Sequence, residues 1–110
     1  MGVVTPGRFQ VFLVELDLTV GSEIQKTRPC VIISPDEMNR HLRTVLIAPL
    51  TSAQRPYPSR VATVFQGREG QIALDQIRAV DRQRLVKSMG SVDEATAERL
   101  ASTLVRMFAV

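Results

Sequence analysis

The sequence predicts a mainly β fold of the α+β class, a small curled barrel of short strands with one amphipathic helix at its C-terminal end. Three observations carry this. Short apolar, β-branched runs recur along most of the chain, each bounded by proline or glycine. They follow one another too closely for the crossover helices of a parallel sheet. The last segment alone changes period, with apolar residues three and four apart instead of alternating.

Taken in order, Phe9 to Leu16 is apolar and β-compatible after Pro6-Gly7, and an acidic, glycine-containing loop from Asp17 to Glu23 follows it. Cys30 to Ile33 is a β-branched run between Pro29 and Pro35, and Thr44 to Ala48 is another, ended by Pro49. Between them, Ser34 followed by Pro35 predicts one or two helical turns over 35–41. Pro56 and Pro58 frame a loop from Thr51 to Arg60. Val61 to Phe65 then reads as strand, Gly67 to Gly70 as turn, Gln71 to Val80 as one strand, and Arg84 to Met89 as a last edge stopped by Gly90. Ser91 and Glu94 form a capping box, and Ala97, Leu100, Ala101, Leu104 and Phe108 share one helical face.

The 110 residues suffice for one core and are expected to form a single domain, 1–110. Hydrophobic residues at 45% and charged residues at 23% describe a chain that folds rather than one that stays disordered. The net charge is only +3, but its distribution is uneven: residues 24–60 carry six bases and two acids, against one base and three acids in 1–23. A positive middle segment suits a polyanionic partner.

Cys30, the single cysteine, sits in an apolar run and is expected to be a buried hydrophobe, so no oxidising compartment is implied. No signal-peptide core or membrane-length apolar run is evident and Pro6 spoils a myristoylation match, so a cytoplasmic location with no membrane partner is expected. One His and one Cys cannot build a cluster of soft metal ligands, and no metal or other cofactor is expected. His41 alone supports no nucleophile–histidine arrangement, which leaves the chemistry to Arg, Thr, Ser, Asp or Glu.

Three segments are more specific. The first is Asp17-Leu18-Thr19-Val20-Gly21-Ser22-Glu23-Ile24-Gln25-Lys26-Thr27-Arg28-Pro29, a polar loop that runs into a buried strand. The second is Ile47-Ala48-Pro49-Leu50-Thr51-Ser52, a strand that ends in two hydroxyls, and the third is Leu74-Asp75-Gln76-Ile77-Arg78-Ala79-Val80-Asp81-Arg82, followed by Arg84-Leu85. In this order they resemble the MazF/PemK (Kid-like) family of toxin endoribonucleases from type II toxin-antitoxin systems. The resemblance runs from about Phe9 to the final helix.

It implies an SH3-like small β-barrel with short helices, a homodimer, and sequence-specific, metal-independent cleavage of single-stranded RNA. In the cell that activity, acting on mRNA, would inhibit translation and growth. The expected partners are RNA and a cognate antitoxin with a disordered acidic tail. Arg28 corresponds to the family's catalytic arginine, and its fixed fork of donors matches phosphate oxygens. Thr51 corresponds to the catalytic threonine, though a hydroxyl there also suits a loop start. Glu23 stands where some members place an important acid and is read as either a base or a reader of a nucleotide edge.

Lys26, Thr27, Ser52, Arg55 and Arg78 are the expected RNA contacts, with Arg60 and Arg82 as further phosphate neighbours. Tyr57 is the one ring placed to stack on a base. Asp75 matches an acid that Kid-like members use with an Arg two residues earlier. Here Ala73 holds that position, and Ser22 replaces the His before the loop acid. Asp75 and Gln76 are therefore read as structural, with lining of the RNA groove as the alternative. A related fold serves the gyrase poison CcdB, so a non-enzymatic poison of a protein target, or a degenerate member that only binds antitoxin, stays open.

Overall fold

A computed structural model describes residues 5–17 and 26–110. The chain runs through strands β1 (Gln10–Asp17) and β2 (Lys26–Ile32), helix α1 (Asp36–His41), strands β3 (Thr44–Thr51), β4 (Arg60–Phe65), β5 (Arg68–Ala73), β6 (Arg78–Asp81) and β7 (Leu85–Ser91), and helix α2 (Glu94–Phe108). All paired strands are antiparallel, in the order β4-β5-β3-β2-β1-β7, with β6 also on β3.

Alternation along β2 sends Val31 and Cys30 to opposite faces, and both faces are covered. Val11, Val31, Ala48, Val61, Ile72 and Leu74 join Leu100 of α2 in one cluster, while Val14, Cys30, Ile32, Val45, Ile47 and Val80 form another. Burial on both sides is why Cys30 to Ile33 reads as an unbroken apolar run. The first cluster gathers residues from β1 through β5, which only a curled sheet allows. Among the described residues, pairing does not close the curl, and β4 and β7 are the ends of the strand order.

The expected strand 71–80 is two strands. A 3₁₀ turn at Leu74–Gln76 separates β5 from β6, and both lie against β3, at Leu50–Thr51 and Thr44–Ile47 respectively. Leu74 drives into the core, 1% exposed, while Asp75 turns outward to an arginine described below. The expected turn at Gly67–Gly70 lies earlier: Gln66 and Gly67 both have positive φ, the two-residue hairpin turn whose twist suits its strands. Gly90 lies within β7, where the pairing with β1 shifts register.

Asp93, not Ser91, caps α2, its carboxylate accepting from the Thr96 backbone N–H at 2.9 Å. Ser91 is still the last residue of β7. The buried face of α2 is Thr96, Leu100 and Thr103, and Phe108, expected on that face, is 72% exposed at the helix end. Helix α1 is pinned by buried Asn39, which accepts from the Ser34 hydroxyl at 2.6 Å and donates to the carbonyls of Pro6 and Ser34, both at 3.0 Å.

Candidate active site

Strand β2 pairs with β3 only from Ile32–Ile47 to Cys30–Pro49. Pro29 and Pro49 lack the N–H groups that would continue the ladder, so the two strands part there. Extending the register by two residues brings Arg28 opposite Thr51 at the mouth of this fork. Pro29 also holds Arg28 extended. Arg28 is exposed and Thr51 half-buried.

Arg28, Cys30 and Ile32 share a face by alternation, and Arg78 stands across β3 from Ile32, paired with Ile47. The charges of Arg28 and Arg78 both reach the Cys30 thiol. Burial nevertheless dominates and pushes that thiol up to about 12, and its S–H points at the Arg28 carbonyl, 3.5 Å away. Cys30 is thus a core residue beneath two exposed guanidiniums, as its apolar setting in the sequence predicts.

The Thr51 hydroxyl oxygen accepts from the Ala53 backbone N–H at 3.1 Å, which fixes its rotamer and leaves its own proton free to donate. From the other side, β5 presses close. A Cβ on Gly70 would stand 2.8 Å from the Thr51 carbonyl oxygen, so only glycine fits.

The loop between β3 and β4 is tied down along its length. Gln71, paired with Thr51 in the ladder, turns its side-chain amide to the Arg55 peptide, its oxygen accepting from the Arg55 N–H at 3.0 Å and its NH2 donating to the Arg55 carbonyl at 3.1 Å. Arg60 forks onto Asp75, with Nε 2.8 Å from Oδ1 and Nη2 3.3 Å from Oδ2, and the Ser59 hydroxyl donates to the same Oδ1 at 3.0 Å. The Arg60 side chain is 6% exposed and that of Asp75 32%. The bonds from Arg60 hold the Asp75 carboxyl below the usual carboxylate range. Tyr57 begins a turn in which its carbonyl accepts from the Arg60 N–H at 3.0 Å, with Pro58 in the position proline prefers. Its ring lies against the Arg60 guanidinium, 5.3 Å from centroid to carbon.

The fork sets Arg28 opposite Thr51, and the loop that follows Thr51 carries Ser52, Arg55 and Tyr57, with Lys26 exposed at the start of β2 and Arg78 on the same face as Arg28. Thr27 alternates to the other face, opposite Glu15. Ser52 and Thr51 also border a cleft of about 450 Å³ floored by Pro29, Leu50, Phe65 and Met89. Glu23 lies outside the described residues. Arg60 is spent on Asp75, and among the described residues the Arg82 side chain is engaged at Nη1 alone, which donates to the Leu42 carbonyl at 3.3 Å. A carboxylate lowered and occupied in this way makes a poor general base, which favours the structural reading of Asp75. Sequence reasoning missed Gly70, Gln71 and the partner of Asp75. Among the described residues, no three His, Cys, Asp or Glu side chains gather as a metal site.

The chain is similar to known proteins in sequence and in fold. The chain is 30% identical over 103 residues to the endoribonuclease EndoA of Bacillus subtilis, covering 88% of this chain and 89% of that one. It is 32% identical over 75 residues to the endoribonuclease toxin MazF of Escherichia coli, covering 68% of each. A mycobacterial endoribonuclease solved in complex with its cognate antitoxin superposes with a TM-score of 0.78 at 27% identity, over 96% of both chains. With residues 7–108 matching the description "PemK-like, MazF-like toxin of type II toxin-antitoxin system", the chain belongs to that toxin family.

Proposed function

We propose that this endoribonuclease toxin cuts single-stranded RNA at the β2–β3 fork through the 2′-hydroxyl neighbouring the scissile phosphate, without a metal. The observation that carries the reading is the placement of Arg28 and Thr51 on opposite sides of one proline-made opening. Cleavage needs a base to take the 2′-hydroxyl proton. The 2′-oxygen then attacks phosphorus, the bond to the 5′-oxygen breaks, and that oxygen leaves as a hydroxyl with a proton taken from solvent water. Glu23 serves either as that base or as a reader of a nucleotide edge. Arg28 neutralises the charge that grows on the phosphorane oxygens, and Thr51 donates its free proton to one of them. The products are a 2′,3′-cyclic phosphate and a 5′-hydroxyl.

Lys26, Ser52, Arg55, Tyr57 and Arg78 hold the flanking nucleotides, Thr27 lying on the other face of β2, and recognition of their bases makes cleavage sequence-specific. The cellular substrate is mRNA, and growth stops with translation, which places the protein in the cytoplasm. No helix among the described residues is long and apolar enough to cross a membrane. The working unit is a two-fold homodimer. Strands β4 and β7, the ends of the strand order among the described residues, together with Val105 and Phe108 exposed at the end of α2, support it as surface a second copy covers. A cognate antitoxin with a disordered acidic tail fits the basic groove and displaces RNA from it.

Incubating the purified protein with a long RNA in EDTA tests the reading. Discrete cuts with 5′-hydroxyl ends are expected. Cutting that vanishes in EDTA and returns with magnesium overturns the metal-free mechanism, and intact RNA under all conditions points to a non-enzymatic binder.

A further inference from the structure

The bonds that tie down the loop at 52–59 go beyond what loop closure needs. Strands β4 and β5 are already joined by their own hairpin, and β3 reaches β5 through the ladder. Yet both groups of the Arg55 peptide are taken by one side chain, and Arg60, an otherwise costly charge to bury, is held by a carboxylate that gains Ser59 as a third partner. Arg60 also reaches Gln71, with Nη1 3.5 Å from Oε1, so the two supports are one network. What this network presents outward is a ring. One face of Tyr57 is backed by Arg60, and the residue remains 48% exposed.

We propose that the loop at 52–59 is a base-stacking platform built before substrate arrives, in which Gln71 and the Arg60–Asp75 pair are positioning residues that hold Tyr57 to receive a base of single-stranded RNA beside Thr51. The proposal rests on the ribonuclease reading above. An aromatic face backed by a guanidinium accepts any base, and a ring already fixed loses little freedom when one stacks on it. The ladder pair Thr51–Gln71 ties the platform to the reacting end, so a stacked base sets the register of the phosphate that Thr51 and Arg28 address. Asp75 acts here through Arg60, without touching the substrate.

The chain has one tyrosine and no tryptophan, so its intrinsic emission reports Tyr57 alone. The cut site is first mapped on a long RNA. A short RNA spanning it is then made with 2′-O-methyl at the cut nucleotide and 2-aminopurine at each flanking position in turn. Binding is expected to quench Tyr57 emission in the wild type, and 2-aminopurine emission at one position next to the cut. That second quench should be lost in Tyr57→Ala, kept in Tyr57→Phe, and weakened in Gln71→Ala although its Tyr57 is intact. For cleavage, Tyr57→Ala and Gln71→Ala should raise KM about tenfold with kcat within about threefold, and Tyr57→Phe should restore KM. A bound oligonucleotide that leaves Tyr57 emission unchanged, or a 2-aminopurine quench that survives Tyr57→Ala, overturns the platform and leaves the ribonuclease reading standing. A wild-type protein that cuts no RNA overturns that reading itself.

Discussion

Gly70 lies so close to Thr51 that a Cβ added to the glycine would stand 2.8 Å from the threonine carbonyl oxygen. The obstacle is backbone, which cannot swing aside as a side chain would. Gly70→Ala must therefore push β5 away from the end of β3, where Thr51 and Gln71 pair. The core residues of both strands lie deeper, so the fold is expected to survive with a modest loss of stability, about 1–3 kcal/mol. Cleavage should fall further than stability, by about a hundredfold, because a displacement near 1 Å at a reacting group costs on that order. Thermal unfolding and kcat/KM measured on the same preparation check this. Full activity in Gly70→Ala would show that the close approach has no part in placing Thr51.

Asp75→Asn separates a buttress from a base. Removing a general base costs about a hundredfold to ten-thousandfold in rate, whereas loosening Arg60 should cost about tenfold or less in kcat/KM. The substitution should also lower stability at neutral pH, since it leaves the nearly buried Arg60 guanidinium without its counterion. The pH dependence has a fixed sign. Arg60 depresses the carboxyl of the folded protein, so its contribution is present above the unfolded carboxylate value, about 3.9, and is lost as pH falls through the lower folded value. The difference between wild type and Asp75→Asn in urea midpoint should thus be largest near neutrality and shrink below about pH 4. A constant difference across that range would rule out the ion pair as its source.

These two sites also mark where the sequence stopped being legible. Strands β1 to β4 and the final helix follow in outline from alternation, proline and period, because those signals are local, although β3 runs through Pro49 to Thr51 instead of ending at Ala48. Arg28 and Thr51 were found by resemblance, and the fork that unites them follows from Pro29 and Pro49, both visible in the chain. The break at Leu74–Gln76 was not visible, since a buried leucine beside an outward aspartate fits a strand as well as a 3₁₀ turn. The partner that the outward Asp75 meets is Arg60, fifteen residues away. The cap of α2 was misplaced by two residues because Ser91 and Asp93 both suit a cap, and only pairing with β1 assigns Ser91 to β7. Phe108 keeps the helical period yet is exposed at the helix end. Long-range partners of this kind leave no spacing to read.

Cys30 should be inert while the protein is folded. Burial raises its thiol to about 12 against the opposing charges of Arg28 and Arg78, so almost no thiolate exists at pH 8. A thiol-labelling reagent is expected to modify the native protein at least about a hundredfold more slowly than the same chain in urea, and RNA cleavage should be insensitive to mild oxidants. Rapid labelling of the folded form would mean that the fork opens far enough to expose the second core cluster.

Arg28 and Thr51 face the same opening but should not weigh equally. Arg28 carries a full charge, and among the described residues no acid forms a salt bridge with it. In the transition state that charge meets negative charge which the ground state lacks, and interactions of this type are worth about 3 kcal/mol or more. Arg28→Ala is expected to abolish detectable cleavage, a loss of about a hundredfold to a thousandfold or greater, while the unfolding midpoint stays near wild type because the side chain is exposed. Thr51 offers one neutral donor, and its oxygen also holds the Ala53 N–H. Thr51→Val keeps the volume but loses both bonds, so it should cost less in rate than Arg28→Ala and more in stability. Single-turnover cleavage of one mapped RNA by the three proteins, with urea melts of each, reads both quantities. An Arg28→Ala protein that is folded and still cuts at more than about a tenth of the wild-type rate would remove Arg28 from the mechanism.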